Sequence, residues 1–372
     1  SVAPVTTDDA PVDWVNDADV TVTLSPSDEG GSGLNETLYC FDTIVGCTPD
    51  QIGTSVVLTS VAPDTSVTYY ISYYSTDNAG NIEATHVDIP VMIDRIAPTI
   101  GDDSPIDWVN SPSVTVELSA SDADSLVAGT AYCVELGSSA TCNPDPNVDG
   151  TEGTTINLAT LYGTVPAGSV ATYSINYGSA DNAGNVATAS TNTIMIDRKA
   201  PVTTISGDVA DWDTLWINSS VNISLSADDN GDSGMVGGLA QTEYCVDTDN
   251  SCDPTGNLYV GSFPINSDGE YYIRYRSTDY IGNVEAIKSQ LVQVESVAPV
   301  TTDDAPADWV NEDDATVTVG PSDEGGSGLN ETLYCFDTIV GCTPDQVGTS
   351  VVLTTVAPDT SVTYYISYYS TD

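Results

Sequence analysis

The chain has 372 residues, 55 of them acidic and only 6 basic, for a formal charge of −49. Such a surface cannot neutralise phosphates, which excludes nucleic acid as a partner and disfavours anionic membrane surfaces. Yet 40% of residues are hydrophobic, enough to bury a core and too many for a disordered acidic tail. No apolar run of about 18 residues offers a membrane-spanning helix.

Residues 1–77 recur as 296–372 with 8 substitutions. Two looser copies of the same pattern lie between them. The dipeptide Ala-Pro marks all four, at Pro4, Pro98, Pro201 and Pro299. The predicted organisation is four repeats of a common domain size, 1–94, 95–197, 198–295 and 296–372, the last stopping before its final strand. The abrupt start at Ser1 and stop at Asp372 read as a window onto a longer protein. An array repeats one mechanical or binding unit, and a single active site would not need four near-copies.

In chain order, each repeat opens on Ala-Pro and reaches a Trp motif at Trp14, Trp108, Trp216 and Trp309. The expected role of this Trp is a lid on the bottom of the core, the alternative being an exposed glycan-stacking platform. Next come strands of period two, such as Val20-Thr-Val22-Thr-Leu24, Val114 to Leu118 and Val221 to Leu225. The stretch from Ser27 to Gly33 follows as a glycine-rich loop.

Two cysteines then close a short loop in each repeat: Cys40 and Cys47, Cys133 and Cys142, Cys245 and Cys252, Cys335 and Cys342. Two thiolates, with His86 the sole histidine of the chain, cannot complete a zinc shell. Disulfides within each repeat are expected instead, and with them an oxidising, extracytoplasmic setting. Asn35, Asn218, Asn222 and Asn330 stand in N-glycosylation sequons in loops or at strand starts.

The clearest strand precedes the Asn-Ala-Gly-Asn turn. Tyr69, Ile71 and Tyr73 recur at equal offsets as Tyr173, Ile175 and Tyr177, then as Tyr271, Ile273 and Tyr275. This constant face is expected inside and the drifting one in water. Tyr70 and Tyr74, with their equivalents Tyr365 and Tyr369, then form an outward aromatic strip suited to lateral contact or glycan stacking. The competing expectation is that loops of the same domain cover it.

The last strand of each repeat passes into the next with no Gly/Ser linker, as in MIDRIAP at 92–98. Proline restricts the joint, so a stiff rod is expected. Carboxylates gather there: Asp94 with Asp122, Asp124 and Asp181; Asp197 with Asp228, Asp229 and Asp279; Glu295 with Asp323, Glu324 and Asp372. Oxygen-only ligands suit calcium. The plainer reading is that these acids cap their own turns or face water. No nucleophile elbow, Cys–His pair, P-loop or dinucleotide fingerprint is present, so an enzyme is not expected.

The APxT opening, VTVTLSxSD, the TxYC strand, YYISYYSTDNAGN and the closing VMIDR-IAP resemble the Ig-like and fibronectin-III-like repeats of large bacterial and archaeal surface proteins. The likeness covers all four copies, and the paired cysteines depart from the commonest adhesin repeats. It implies all-β sandwiches of about seven strands, used in adhesin stalks, surface layers and extracellular fibres. It also implies calcium at the linkers of some arrays. The expected function is a structural repeat region of an extracellular or cell-surface fibre, a stiff rod of disulfide-pinned Ig-like domains. The alternatives are the stalk of a large adhesin and a carbohydrate-binding array of a secreted enzyme. Expected partners are copies of the chain, other surface proteins or glycans.

Overall fold

The computed structural model describes residues 2–59, 61–139, 141–144, 151–230, 232–354, 357 and 360–372. The chain falls into two compact units, Ser1–Lys199 and Ala200–Asp372. Strands build both, and the described residues add one short helix, Leu158–Tyr162.

The first repeat sets the plan. Its strands are β1 (Val5–Asp8), β2 (Val20–Ser27), β3 (Leu34–Asp42), β4 (Gln51–Ile52), β5 (Ser55–Leu58), β6 (Ser66–Asp77) and β7 (His86–Asp94). One sheet has the order β1-β2-β5 and the other β4-β3-β6-β7. Along β2, Val20, Val22 and Leu24 are buried while Thr21 and Thr23 between them are exposed. This period-two stripe meets Ile71 and Tyr73 of β6 and Val91 and Ile93 of β7 in one core. The result is an Ig-like sandwich of three strands against four.

The same plan recurs. In the second repeat Thr99–Asp102, Thr115–Ser121 and Thr155–Asn157 oppose a sheet built on Val127–Leu136, Val170–Asp181 and Ser190–Asp197. The third opposes Val202–Gly207, Val221–Asp228 and Phe263–Ile265 to a sheet containing Gln241–Asp247, Gly269–Thr278 and Lys288–Val294. In the fourth, Ala315–Ser322 and Tyr365–Thr371 occupy the places of β2 and β6. The protein is thus a tandem series of β-sandwich domains.

Two expectations need correction. The Trp motif does not close the core with its indole. The next residue does so: Val15 donates its N–H to Met92 O at 3.1 Å and accepts from Asp94 N at 2.9 Å, running parallel to β7. Trp14 is half-buried outside that core, and Trp309 is 76% exposed. The one Trp inside a core is Trp212 of the third repeat, which sequence reading did not single out.

The drifting face of β6 is also drier than expected. Ser72 is only 1% exposed. The disulfide loop crosses above it: Gly46 N donates to Asp88 Oδ1 at 2.8 Å, and Asp88 N donates to Ser72 Oγ at 3.0 Å. Equivalent positions reach the same strap by other means. Asn176 Nδ2 donates to Cys142 O at 2.5 Å, and Arg274 Nη1 donates to Asn250 O at 3.2 Å. The residue type drifts because the strap is met in different ways, through Asp88 by Ser72 and directly by Asn176 and Arg274.

A buried polar knot ties β1 to the facing sheet. Glu83 Oε1 accepts from Thr6 N at 2.6 Å, and Oε2 accepts from Thr6 Oγ1 at 2.7 Å and Ser75 N at 3.2 Å. His86 approaches Glu83 at 3.2 Å and stacks on Tyr73 with ring centroids 4.5 Å apart. The third repeat repeats the knot with Thr203, Ser277 and Glu285, and Lys288 Nζ lies 2.5 Å from Glu285. The second repeat replaces both partners together, carrying Ile100 for the threonine and Ala187 for the glutamate. A buried carboxylate without its donors is costly, whereas an apolar pair is not. Thr6→Ile alone is therefore expected to cost about 3 kcal/mol, and Thr6→Ile with Glu83→Ala to recover most of it. Hydrogen-exchange protection of the β2 amides measures both.

Candidate ion-binding joints

The first and second repeats end their last strand on Asp94 and Asp197, Glu295 directly follows that of the third, and the next repeat in each case offers two more acids from the loops at its head. The head is the end where the chain enters, carrying the loop after the second strand and the turn after the sixth. In the first unit Asp94 ends β7, Asp122 follows the strand Thr115–Ser121, and Asp181 ends the strand Val170–Asp181. Asp94 and Asp181 are buried, and one carboxylate oxygen from each of the three lies within 4.8 Å of the others.

Local turns hold these carboxylates in place. Asp94 Oδ1 accepts from Ile96 N at 2.9 Å, and its Oδ2 from Ser125 N at 3.1 Å. Asp122 Oδ1 accepts from Asp124 N at 3.1 Å and Leu126 N at 2.9 Å. Asp181 accepts from the backbone and side-chain amides of Asn185, both at 2.8 Å. Asn185 Nδ2 also donates to Asp94 O at 2.9 Å, binding the turn to the incoming strand. Turn capping is thus real, but it supplies only neutral donors. Among the described residues no Lys, Arg or His forms an ion pair with any of the three acids. Unit charges about 5 Å apart repel by about 3 kcal/mol per pair at an effective dielectric of about 20. Beside them Ser125 Oγ is buried without a hydrogen-bond partner.

The second unit contains a matching joint. Glu295, Asp323 and Asp372 bring one oxygen each within 4.8 Å of the others. Glu295 is 5% exposed, Asp323 half-buried and Asp372 exposed. Glu295 Oε2 accepts from Ser327 N at 2.6 Å, as Asp94 accepts from Ser125 N. Here too the serine hydroxyl, Ser327 Oγ, is buried without a partner, and so is Glu295 Oε1. Sequence reading missed these serines, because nothing in the loop sequence shows which hydroxyl turns inward.

Other acids divide. Asp197 is buried at the end of the strand Ser190–Asp197 in the first unit. Asp229 and Asp279, both buried in the second unit, offer oxygens within 4.8 Å of each other. Asp124, Asp228 and Glu324 stand outside these groups. Asp124 contributes its amide to Asp122, exposed Asp228 caps Asn230 N at 3.0 Å, and Glu324 faces solvent.

The head of the first repeat shows the same loops with no acid from a preceding strand among the described residues. Asp28 accepts from Gly30 N and Gly33 N, both at 2.7 Å, and Ser32 Oγ donates to it at 3.2 Å. The hydroxyl orphaned at the two joints is here paired. Asp77, the counterpart of Asp181, has its carboxyl pushed down to about 2, first by the Asn81 side-chain amide.

The sulfur pairs Cys40–Cys47, Cys133–Cys142, Cys245–Cys252 and Cys335–Cys342 are bonded within their own repeats, with Cα separations of 6.1, 6.3, 6.3 and 6.1 Å. Asn35, Asn218, Asn222 and Asn330 are all exposed. Tyr70 and Tyr74 are half-buried, while Tyr365 and Tyr369 are 43% and 47% exposed.

No protein-family model and no curated protein matches the chain. Solved structures that resemble it include the fibronectin(III)-like modules of Clostridium thermocellum CbhA, at 15% identity over 52% of this chain and 94% of that one, TM-score 0.28. The three N-terminal domains of the bacteriophage RB49 highly immunogenic outer capsid protein match at 13% identity over 80% and 99%, TM-score 0.35. Sidekick-1 immunoglobulin domains 1–5 match at 12% identity over 96% and 75%, TM-score 0.30. The fold assignment rests on the chain's own strand order and pairing.

The strap yields a direct expectation. Replacing Cys40 and Cys47 by Ser should cost at most about 3 kcal/mol, because the closed loop is short. It should also speed amide exchange at Asp88, whose N–H is held under the strap by Ser72. Unchanged exchange at Asp88 would mean that the loop keeps its place without the bond.

Proposed function

We propose that this chain is a structural repeat region of an extracellular or cell-surface fibre, a stiff rod whose joints are set by divalent cations, calcium above all. The observation that carries the reading is the recurrence at two joints of three converging carboxylates beside a buried, unpartnered serine hydroxyl. Hard oxygen donors without nitrogen or sulfur suit calcium, which takes six to eight oxygens at ~2.4 Å. Asp94, Asp122 and Asp181 with Ser125 would hold one ion, and Glu295, Asp323 and Asp372 with Ser327 another. The ion would join the end of one repeat to two loops of the next and cancel their repulsion. Asp197, Asp229 and Asp279 carry the same sequence positions.

The setting follows from the four disulfides, which persist where the environment is oxidising. Exposed sequons at Asn35, Asn218, Asn222 and Asn330 suit glycosylation of such a surface. The surplus acid keeps an exposed polymer soluble. Tyr70 and Tyr74, with Tyr365 and Tyr369, would give lateral contacts to copies of the chain or to glycans. An adhesin stalk uses the same rod with a binding domain at its tip. A carbohydrate-binding array of a secreted enzyme would instead need an exposed aromatic platform, and Trp14, Trp108 and Trp216 are half-buried.

The test compares the intact chain with calcium and with chelator, by melting and by small-angle scattering. Calcium at 100 times its Kd should add about 2.7 kcal/mol per site to whatever opening breaks the joint. It should also lengthen the mean end-to-end distance. Asp94→Asn with Glu295→Gln should remove most of both responses. Identical profiles with and without calcium would leave the acids as turn caps alone.

A further inference from the structure

The joint after the third repeat contains a steric match that the cation does not require. The loop following Asp323 reads Glu-Gly-Gly-Ser, with Gly325 and Gly326 at its tip. A methyl added at Gly325 would fall on Glu295 Oε1, and one added at Gly326 would fall on Trp216 Cη2. The missing side chains are therefore the space that the preceding repeat's acid and Trp occupy. Trp216 is half-buried there.

The first joint solves the same problem at another size. Its acid, Asp94, is one methylene shorter than Glu295. Its loop, from Asp122 to Ser125, has two residues between Asp and Ser where the fourth repeat has three. Both acids nevertheless capture the amide of that serine, at 3.1 Å and 2.6 Å.

The first repeat carries the same Gly30-Gly31 tip as the fourth. There Gly31 takes φ +84° and a Cβ on it would meet nothing within 4 Å. Gly326, under Trp216, is not among the glycines of positive φ. The Gly-Gly tip thus has one shape in the first repeat, where a Cβ on Gly30 would meet Asp28 Oδ1 at 2.8 Å and Val2 O at 3.1 Å, and another under Trp216, an interchange that costs a side-chain-bearing residue far more.

We propose that the Gly-Gly tip is a keyed socket for the tail of a Glu-ended, Trp-bearing repeat, and that the head of the first repeat is a second socket of this kind. The partner it fits is a β-sandwich tail of the type formed by residues 200–295. The key sets which repeat can follow which, and so fixes the order of domains.

The test is a cycle in the full chain, read as the rate of proteolysis between residues 295 and 299. Gly325→Ala should speed cleavage about ten-fold or more, because the added methyl displaces Glu295. Combining it with Glu295→Asp, which withdraws the acid by one methylene, should bring the rate back to within about three-fold of the original. A Gly325→Ala chain cut at the original rate would overturn the key, and so would a double variant cut as fast as the single one. For the second socket, residues 200–295 or 95–197 are repeated ahead of Ser1. The Glu-ended addition should give a joint cut about ten-fold more slowly than the Asp-ended one. Equal rates would overturn the claim. Both arms are run in chelator, so failure of the calcium reading does not decide them.

Discussion

The constraint on which this structure depends is the direct passage of each repeat's last strand into the next repeat, with an acid at the crossing. Asp94 and Glu295 close their strands in buried positions, and the following loops can reach them only with more acid and with backbone amides. Everything at a joint answers that choice. The Asn of the turn binds the strand's carbonyl, the serine amide binds its carboxylate, and glycine makes room where the acid is longer. Burying like charges together is unfavourable without a counter-charge. The proposed cation would supply that counter-charge.

Within a repeat, polar connections do the work that a larger core would do elsewhere. A sandwich of under a hundred residues has a modest interior. Here it is tied by a disulfide strap across one face and by the Thr–Ser–Glu knot between sheets. The knot shows how such a device is kept or lost. The first and third repeats both keep the threonine amide and hydroxyl on the glutamate, and the second drops threonine and glutamate together. Half of the knot would leave a buried charge without partners, which explains why no intermediate version appears among these three repeats.

Much of this was legible in the sequence for a physical reason. Period-two alternation in Val20 to Leu24 reports a face, and faces report a sandwich. The three acids at each described joint were also visible, because the order of strands places the loop after the second strand and the turn after the sixth at one end. What the sequence hid depends on side chains meeting at long range. The inward turn of Ser125 and Ser327 has no local signature. Ser72, Asn176 and Arg274 look like a wet, drifting position until the strap is seen above them. Trp14 was placed on the core because an indole near a strand start usually packs there. The backbone pairing of Val15 with Met92 and Asp94 takes that place.

The most direct measurement is terbium luminescence excited through tryptophan, using terbium as the probe for an oxygen-lined calcium site. Trp216 packs on Gly326, next to Glu295 and Asp323. An ion at this joint should give sensitised emission that calcium displaces, with loss of most of the Trp216-sensitised signal on Glu295→Gln and little change on Glu324→Gln, which faces solvent. Emission that is absent, or equally reduced by both substitutions, would contradict an ion at the joint.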